Sequence, residues 1–380
     1  MADAVAGPRP LALLAPVLPL VGGAAQFNTA LLSALRERGP VTALTWRRLY
    51  PPLLHRRKTR DTESHSARLE PAMPVLDWLD PRSWRRAVEL VRSTASRALI
   101  LPWVHPVITP QYAYLLANAP EDVTRVVICH NVLPHDRVPL SATCARAVLS
   151  RADVIVAHSG PMRDELDQLG VDARIVDAFH PRFSAHDLAE LPSADAIARE
   201  RARQGHPELS LLAFGAVRPY KGFDIAIRAL AELDRSVRVR LTIAGVFWDG
   251  GAELRRLVSE LGLQDRVELR DGFVSSEQAA LLFSAADAAV LPYRSATQSG
   301  VVQLAFAYGI PVLATAVGGL PEAVADGVDG LLCPPEDPRA LAAIIVGLQQ
   351  NRRALAEGVQ ASSYEHSFQR YCELLEEALV

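Results

Sequence analysis

The sequence predicts an α/β protein of two successive doubly wound, parallel-sheet domains. Three observations predict it. Short, unbroken apolar runs alternate with helix-period segments, the pattern of strands covered on both faces. The series occurs twice, and around Pro192–Pro207 it gives way to a stretch rich in Ala, Arg, Gln and Gly with little β signal. The length of 380 residues exceeds one ordinary core and suits two domains of about 150–200 residues each.

The first series opens with an apolar strand at Leu11–Ala15. After a Pro/Gly loop comes a helix over Gln26–Arg38, with Phe27, Ala30, Leu31, Ala34 and Leu35 on one face. Further strands are expected at Arg97–Leu101, Val126–Cys129 and Val154–Ala157, with helical patterns between several of them. The domain junction is placed at about 185–208. The second series runs strand 210–214, helix 223–233, strand 239–244, helix 252–261, strand 267–269, helix 276–284, strand 288–291, helix 301–308, strand 311–314 and helix 338–349. A last amphipathic helix is expected over 363–379, with no strand left to follow it.

Composition narrows the function. Hydrophobic residues make up 49% and charged residues 22%, an ordinary globular balance, and the net charge of −3 gives no reason to expect nucleic acid as a partner. Cys129, Cys144, Cys333 and Cys372 lack CxxC or zinc-ligand spacing and fit reduced thiols. The apolar run Leu11–Val21 contains prolines and lacks a basic n-region, so it reads as a buried strand and turn rather than a leader. No run of about 20 apolar residues suggests a membrane span. The expected location is cytoplasmic. The basic segment Arg47-Arg48 through Arg56-Arg57-Lys58-Thr59-Arg60 reads as a loop. Two readings of it stay open: a solvated surface, or a patch for an anionic acceptor or peripheral contact with an acidic membrane.

Ligands of open parallel sheets bind beyond the carboxyl ends of the strands, and a cleft between two such domains is the expected site. Four loops are therefore informative. Gly22-Gly23, ahead of the first helix, either lets a phosphate approach free N–H groups or marks tight packing. Phe214-Gly215-Ala216-Val217-Arg218-Pro219-Tyr220-Lys221-Gly222 sets two cations three residues apart at the mouth of a helix. Arg218 can chelate two phosphate oxygens and Lys221 adds a compact charge, unless both are simply solvated. Residues 292–303 supply Gln298, the Ser299 hydroxyl, a helix start at Gly300-Val301, and Gln303. That arrangement serves an anion or is only an elaborate cap. Cys129-His130-Asn131-Val132-Leu133-Pro134-His135-Asp136 places polar groups at a strand end that a core does not need, either as functional groups or as structural histidines.

Together these loops resemble family 4 of the GT-B glycosyltransferases, retaining enzymes that use nucleotide-diphosphate sugars. The resemblance is firmest over FGAVRPYKGFD, LTIAGVFW, DRVELRDGFV, FSAADAAVLPYRSATQSGVVQLAFAYGIPV and GGLPEAVADGVDGLLCPPEDP. In the first domain it rests on the glycine loop and HNVLPHD. It implies an acceptor-binding domain over 1–190, a donor-binding domain over 205–350, and a terminal helix within 363–380 that packs back on the first domain. Arg218 and Lys221 then neutralise the donor diphosphate, and His130 bonds the donor sugar. Gly22 and Gly23 close on the distal phosphate, while Ser299, Gly300 and Val301 hold phosphates from the helix start. Phe273 and Val274 flank the base. The implied acceptor is a glycan, a lipid-linked sugar or a small molecule. No cofactor and no metal are expected.

One departure stands out. The family carries two glutamates eight residues apart, and the alignment puts Ala296 and Leu304 in their places. Gln298 and Gln303 are the nearby polar residues expected to take over part of that work. A retaining reaction with front-face attack needs no carboxylate nucleophile, so charge stabilisation and positioning carry it. The rival expectation is an auxiliary GT-B protein that binds a nucleotide sugar or a partner enzyme without transfer.

Overall fold

The computed structural model describes residues 9–20, 22–49, 72–134, 140–205, 207–247, 250–361 and 365–379. Residues 56–60 of the basic segment, Val21, His135 and Asp136 lie outside them. The chain divides into two compact units. Among the described residues one holds the chain up to Phe179 and again from Phe368, and the other holds His180–Ser367.

The first unit is a seven-stranded sheet in the order β3-β2-β1-β4-β5-β6-β7, every neighbouring pair parallel. The strands are β1 (Leu11–Leu14), β2 (Val41–Arg48), β3 (Met73–Asp77), β4 (Ala98–Trp103), β5 (Thr124–Cys129), β6 (Val154–Ala157) and β7 (Arg174–Asp177). β1, β4 and β6 are buried along their whole length, as their unbroken apolar sequences require. The edge strands β3 and β7 are partly exposed and carry polar residues. Arg47 and Arg48, expected in a loop, instead end β2, and Arg48 pairs with Asp77 of β3 at 2.6 Å. Arg47 donates to the Val75 carbonyl at 3.3 Å, so both arginines reach the adjacent strand.

The connecting helices are α1 (Gly23–Arg38), α2 (Pro81–Ser93), α3 (Thr109–Ala117), α4 (Ser141–Leu149) and α5 (Gly160–Leu169). Asp80 caps α2 by accepting from Arg82 N, and Ser159 caps α5 by accepting from Met162 N. Buried polar tips find partners. Trp46 Nε1 donates to Gln111 Oε1 at 2.7 Å, and the Tyr112 hydroxyl donates to the Pro102 carbonyl at 3.0 Å.

The second unit begins with the short α6 (Ala185–Leu188) and α7 (Ala194–Arg203), then builds a six-stranded parallel sheet. Its strands are β8 (Leu209–Phe214), β9 (Val239–Gly245), β10 (Val267–Asp271), β11 (Ala288–Leu291), β12 (Val312–Thr315) and β13 (Gly330–Cys333), in the order β10-β9-β8-β11-β12-β13. The helices are α8 (Phe223–Glu232), α9 (Ala252–Glu260), α10 (Ser276–Ala285), α11 (Gly300–Ala307), α12 (Leu320–Ala323) and α13 (Pro338–Ala361). α13 continues twelve residues beyond the expected Gln349 because NRRALAEGVQA is helix-forming and buries Leu355 and Val359. Arg182 and Asp329 form a buried ion pair at 2.7 Å in this unit, and the guanidinium lies 4.1 Å from the Phe306 ring centroid.

The terminal helix α14 (Phe368–Glu377) starts five residues later than expected, because Ser367 is still extended in a bridge to Arg182. It belongs to the first unit and packs on α1. There Arg38 donates to both carboxylate oxygens of Glu376, at 3.1 and 2.7 Å. The Tyr371 hydroxyl lies 2.7 Å from His158 Nε2 in the interior. No helix among the described residues is long and apolar enough to cross a membrane.

Candidate functional site

Each sheet reverses its strand order once, between β1 and β4 in the first unit and between β8 and β11 in the second. Parallel pairing puts all carboxyl ends of a sheet at one edge, so the loops on either side of the reversal face a crevice. In the second unit those loops are 215–222 and 292–299.

The first of them buries a charge. Lys221 is 8% exposed. Among the described residues its ammonium has one hydrogen bond, a long 3.4 Å donation to the Phe214 carbonyl, and no carboxylate partner. Instead it faces rings, 5.4 Å from the Tyr293 centroid and 5.9 Å from that of Phe223. Burial lowers its pKa from the usual value, and the nearby Arg218 adds to the fall while Tyr220 opposes it. Gly215, at φ +103°, makes the turn, and a Cβ there would lie 2.7 Å from Lys221 Nζ. Arg218 is half-buried in extended backbone directly before the single helical turn Pro219–Lys221. A buried cation without an anion is costly unless a ligand brings one.

The second loop is tied to the first. Arg294 N donates to the Tyr220 carbonyl at 2.7 Å. The Arg294 guanidinium bonds Pro219 O at 2.7 Å, both oxygens of Asp224 at 2.9 and 2.8 Å, and Glu336 at 2.7 Å. Tyr293 is 2% exposed, and its hydroxyl lies 3.3 Å from Ser299 Oγ. Ser299 caps α11 by accepting from Val301 N at 3.3 Å. Gln298 and Ser299 are half-buried and Gly300 is exposed at the helix start. The loop beyond β12 closes against the same segment: the Ala296 carbonyl oxygen would stand 1.4 Å from a Cβ on Gly318.

The other expected donor residues are spread more widely. Phe273, 44% exposed, and the half-buried Val274 follow β10, two strands from β8. Gln303 is 4% exposed with its Oε1 unpaired among the described residues. It shares the buried side of α11 with Val302 and Phe306. Ala296 and Leu304, at the two glutamate positions, are respectively buried and packed partly against the core.

In the first unit Gly22 and Gly23 lie exposed at the start of α1, which has no side-chain cap. His130 follows β5, with its backbone N–H donating to Trp103 O at 3.0 Å. Its ring stands edge-on to Phe27 of α1, with centroids 4.7 Å apart. Among the described residues no three His, Cys, Asp or Glu side chains gather to hold a metal ion.

Sequence reasoning passed over Tyr293, Arg294 and Asp224. Tyr-Arg one residue after an apolar strand was the available signal. The aromatic ahead of the hydroxyls and amides at 297–303 covers the lysine.

These two doubly wound sheets define a GT-B fold. The chain is similar to sucrose-phosphate synthase from Thermosynechococcus elongatus, at 22% identity and TM-score 0.69 over 98% of this chain and 99% of that one. It is also similar to Anabaena HepE in complex with UDP-glucose, at 20% identity and TM-score 0.73 over 97% and 99%. Residues 208–351 match the family described as Glycosyl transferases group 1. Curated relatives named D-inositol 3-phosphate glycosyltransferase include one from Streptomyces avermitilis, 35% identical over 210 residues that make up 52% of this chain and 44% of that protein. Another, from Mycolicibacterium smegmatis, is 38% identical over 205 residues, 52% and 46% of the two chains. The chain thus spans about half the length of the curated relatives it matches.

Proposed function

We propose that the protein is a retaining glycosyltransferase that moves a sugar from a nucleotide-diphosphate sugar to an acceptor hydroxyl without a metal. The observation that carries this reading is the buried Lys221 ammonium, which has no carboxylate partner among the described residues and sits at the carboxyl end of β8. A diphosphate supplies the missing charge, and Arg218 adds a second cation for the leaving group. Ser299 and the amides of Gly300 and Val301 provide neutral donors. Gly22 and Gly23 serve the distal phosphate, Phe273 and Val274 the base, and Gln298 part of the contacts that the absent glutamates would make, while Gln303 is turned to the core. His130 bonds the donor sugar. The acceptor oxygen attacks from the leaving-group face while the departing phosphate oxygen takes its proton, so positioning and charge stabilisation carry the rate. The HepE complex makes a UDP-linked sugar the first donor to test. The acceptor is a glycan, a lipid-linked sugar or a small molecule, and the protein works in the cytoplasm.

Calorimetry with UDP, GDP, ADP and their common sugars, with magnesium or with EDTA, tests the reading on wild type and Arg218→Ala. Binding of one nucleotide that ignores EDTA and weakens roughly ten- to a hundredfold in the variant supports it. A magnesium requirement removes the metal-independent part.

The apolar Ala296 and Leu304 favour a second reading, a protein that binds the donor without transfer. Slow release of free sugar from the bound donor, with retained anomeric configuration, decides for the enzyme.

A further inference from the structure

Two features of the second unit face each other across one side chain. On one side is the Lys221 ammonium, 5.4 Å from the Tyr293 ring centroid. On the other is Ser299 Oγ, 3.3 Å from the Tyr293 hydroxyl. The tyrosine is fixed independently of both. Its carbonyl accepts from Thr315 Oγ1 at 2.6 Å, Tyr220 packs edge-on at 6.1 Å, and solvent reaches 2% of it.

We propose that Tyr293 is a positioning residue for the donor diphosphate, holding Lys221 against its ring and orienting the Ser299 hydroxyl through its own. The proposal rests on the nucleotide-sugar reading of this site.

Either hydroxyl of the pair can donate, and the proposed orientation has the phenol as donor. Burial pushes the Tyr293 phenol up to about 12, so it is protonated and able to donate at neutral pH. Ser299 Oγ already accepts from Val301 N. With the phenol donating as well, both lone pairs of the serine oxygen are engaged, and its single proton is left to donate elsewhere. An anion beside the start of α11 is the complementary acceptor. Without the phenol the serine hydroxyl is free to rotate, and part of its time as a donor is lost. The ring has a separate task. Its face is an attractive surface for a cation, and it favours the charged form of Lys221 where burial disfavours it.

Each task has its own variant. Tyr293→Phe keeps the ring and removes the hydroxyl, whereas Tyr293→Leu removes both. UDP affinity is measured by calorimetry from pH 6 to 10 on wild type, Tyr293→Phe, Ser299→Ala and the double variant, with melting temperatures alongside. Tyr293→Phe should weaken UDP roughly 2- to 12-fold at pH 7, the loss expected for one hydrogen bond. In the Ser299→Ala background the same change should add less than about 2-fold, because the two groups act as one. The alkaline fall in affinity should keep its wild-type midpoint in Tyr293→Phe and move to lower pH in Tyr293→Leu. Among the described residues Arg218, Tyr220 and Tyr293 are the charged or titratable groups that act on the lysine, and Arg218 and Tyr220 are unchanged in both variants. A merely structural tyrosine would lower the melting temperature without that split.

Independent, multiplicative effects of Tyr293→Phe and Ser299→Ala overturn the proposal, as does unchanged affinity in Tyr293→Phe. Should Tyr293→Leu fail to fold, the cycle with the isosteric phenylalanine decides alone. Wild-type protein that binds none of UDP, GDP or ADP overturns the nucleotide-sugar reading itself, and the assignment of Tyr293 falls with it.

Discussion

Arg294 holds both carboxylate oxygens of Asp224, at 2.9 and 2.8 Å, while its backbone N–H bonds the Tyr220 carbonyl. The contact joins the loop after β11 to the first turn of α8, and so fixes the segment that carries Lys221. Both side chains are about a third exposed, which screens the pair, but the fork geometry and the added Glu336 contact raise it above a lone surface bridge. Arg294→Ala should cost about 1–2 kcal/mol in urea unfolding. It should also weaken UDP several-fold although the side chain is not assigned to the ligand. Affinity equal to wild type would separate this clamp from the anion site.

Gly215 is predicted to resist substitution. At φ +103° an L-residue is strained, and its Cβ would lie 2.7 Å from Lys221 Nζ. Gly215→Ala should destabilise by about 1–3 kcal/mol and displace the ammonium. UDP affinity should then fall at least about tenfold, the scale of one lost charged hydrogen bond. Calorimetry beside a urea melt separates the two effects.

Lys221 gives the unliganded protein an alkaline signature. Its folded pKa lies below the usual 10.5 because burial disfavours the ammonium. Between the folded and unfolded values the unfolded chain binds the proton and the folded chain does not, so stability rises with pH through that window. A bound diphosphate favours the charged form and closes the window. UDP binding should therefore take up a proton there, and weaken as pH rises past the free protein's Lys221 pKa. Calorimetry in buffers of different ionisation enthalpy measures the uptake, and Lys221→Met should abolish it.

The buried Arg182–Asp329 pair should be far less tolerant of losing one partner than of losing both. Asp329→Ala leaves a guanidinium stranded in the interior and should cost about 3–5 kcal/mol. Arg182→Met with Asp329→Leu should recover much of that loss. Urea melts of the two variants check the order, and a loss under about 1 kcal/mol in Asp329→Ala would contradict it.

Interior strands were the legible part of the fold. Because both faces are covered, β4, β6 and β11 are apolar throughout, and β5, β8, β9 and β12 are mostly so, with polar residues such as Arg125, Ser210 and Arg240 among them. The strands passed over are chiefly at edges. β3 contains a proline and an exposed methionine, and β7 reads Arg-Ile-Val-Asp with both ends exposed. One open side removes the need for apolar residues there. β2, next to an edge, alternates threonine with apolar residues and ends in two arginines, which hid it in the same way. At the candidate site the loops could be read from their place after strands and from Arg218, Lys221 and Ser299. What could not be read was direction. A glutamine one position along a helix faces the core, as Gln303 does, and a tyrosine four residues ahead of a polar run covers a lysine seventy-two positions earlier in the chain. Such relations depend on how loops fold over one another, which spacing alone does not encode.

The close approach of Gly318 to Ala296 couples two loops that lie apart in the sequence, one after β11 and one after β12. Ala296 occupies the position where the resemblance expects an acid, yet its carbonyl is wedged where Gly318 would carry a Cβ, and 8% of the residue meets solvent. A glutamate at 296 would carry its carboxylate from a residue that solvent now reaches over only 8% of its surface, at a desolvation cost. Any side chain at Gly318 would press on the same carbonyl, so the two loops can change only together.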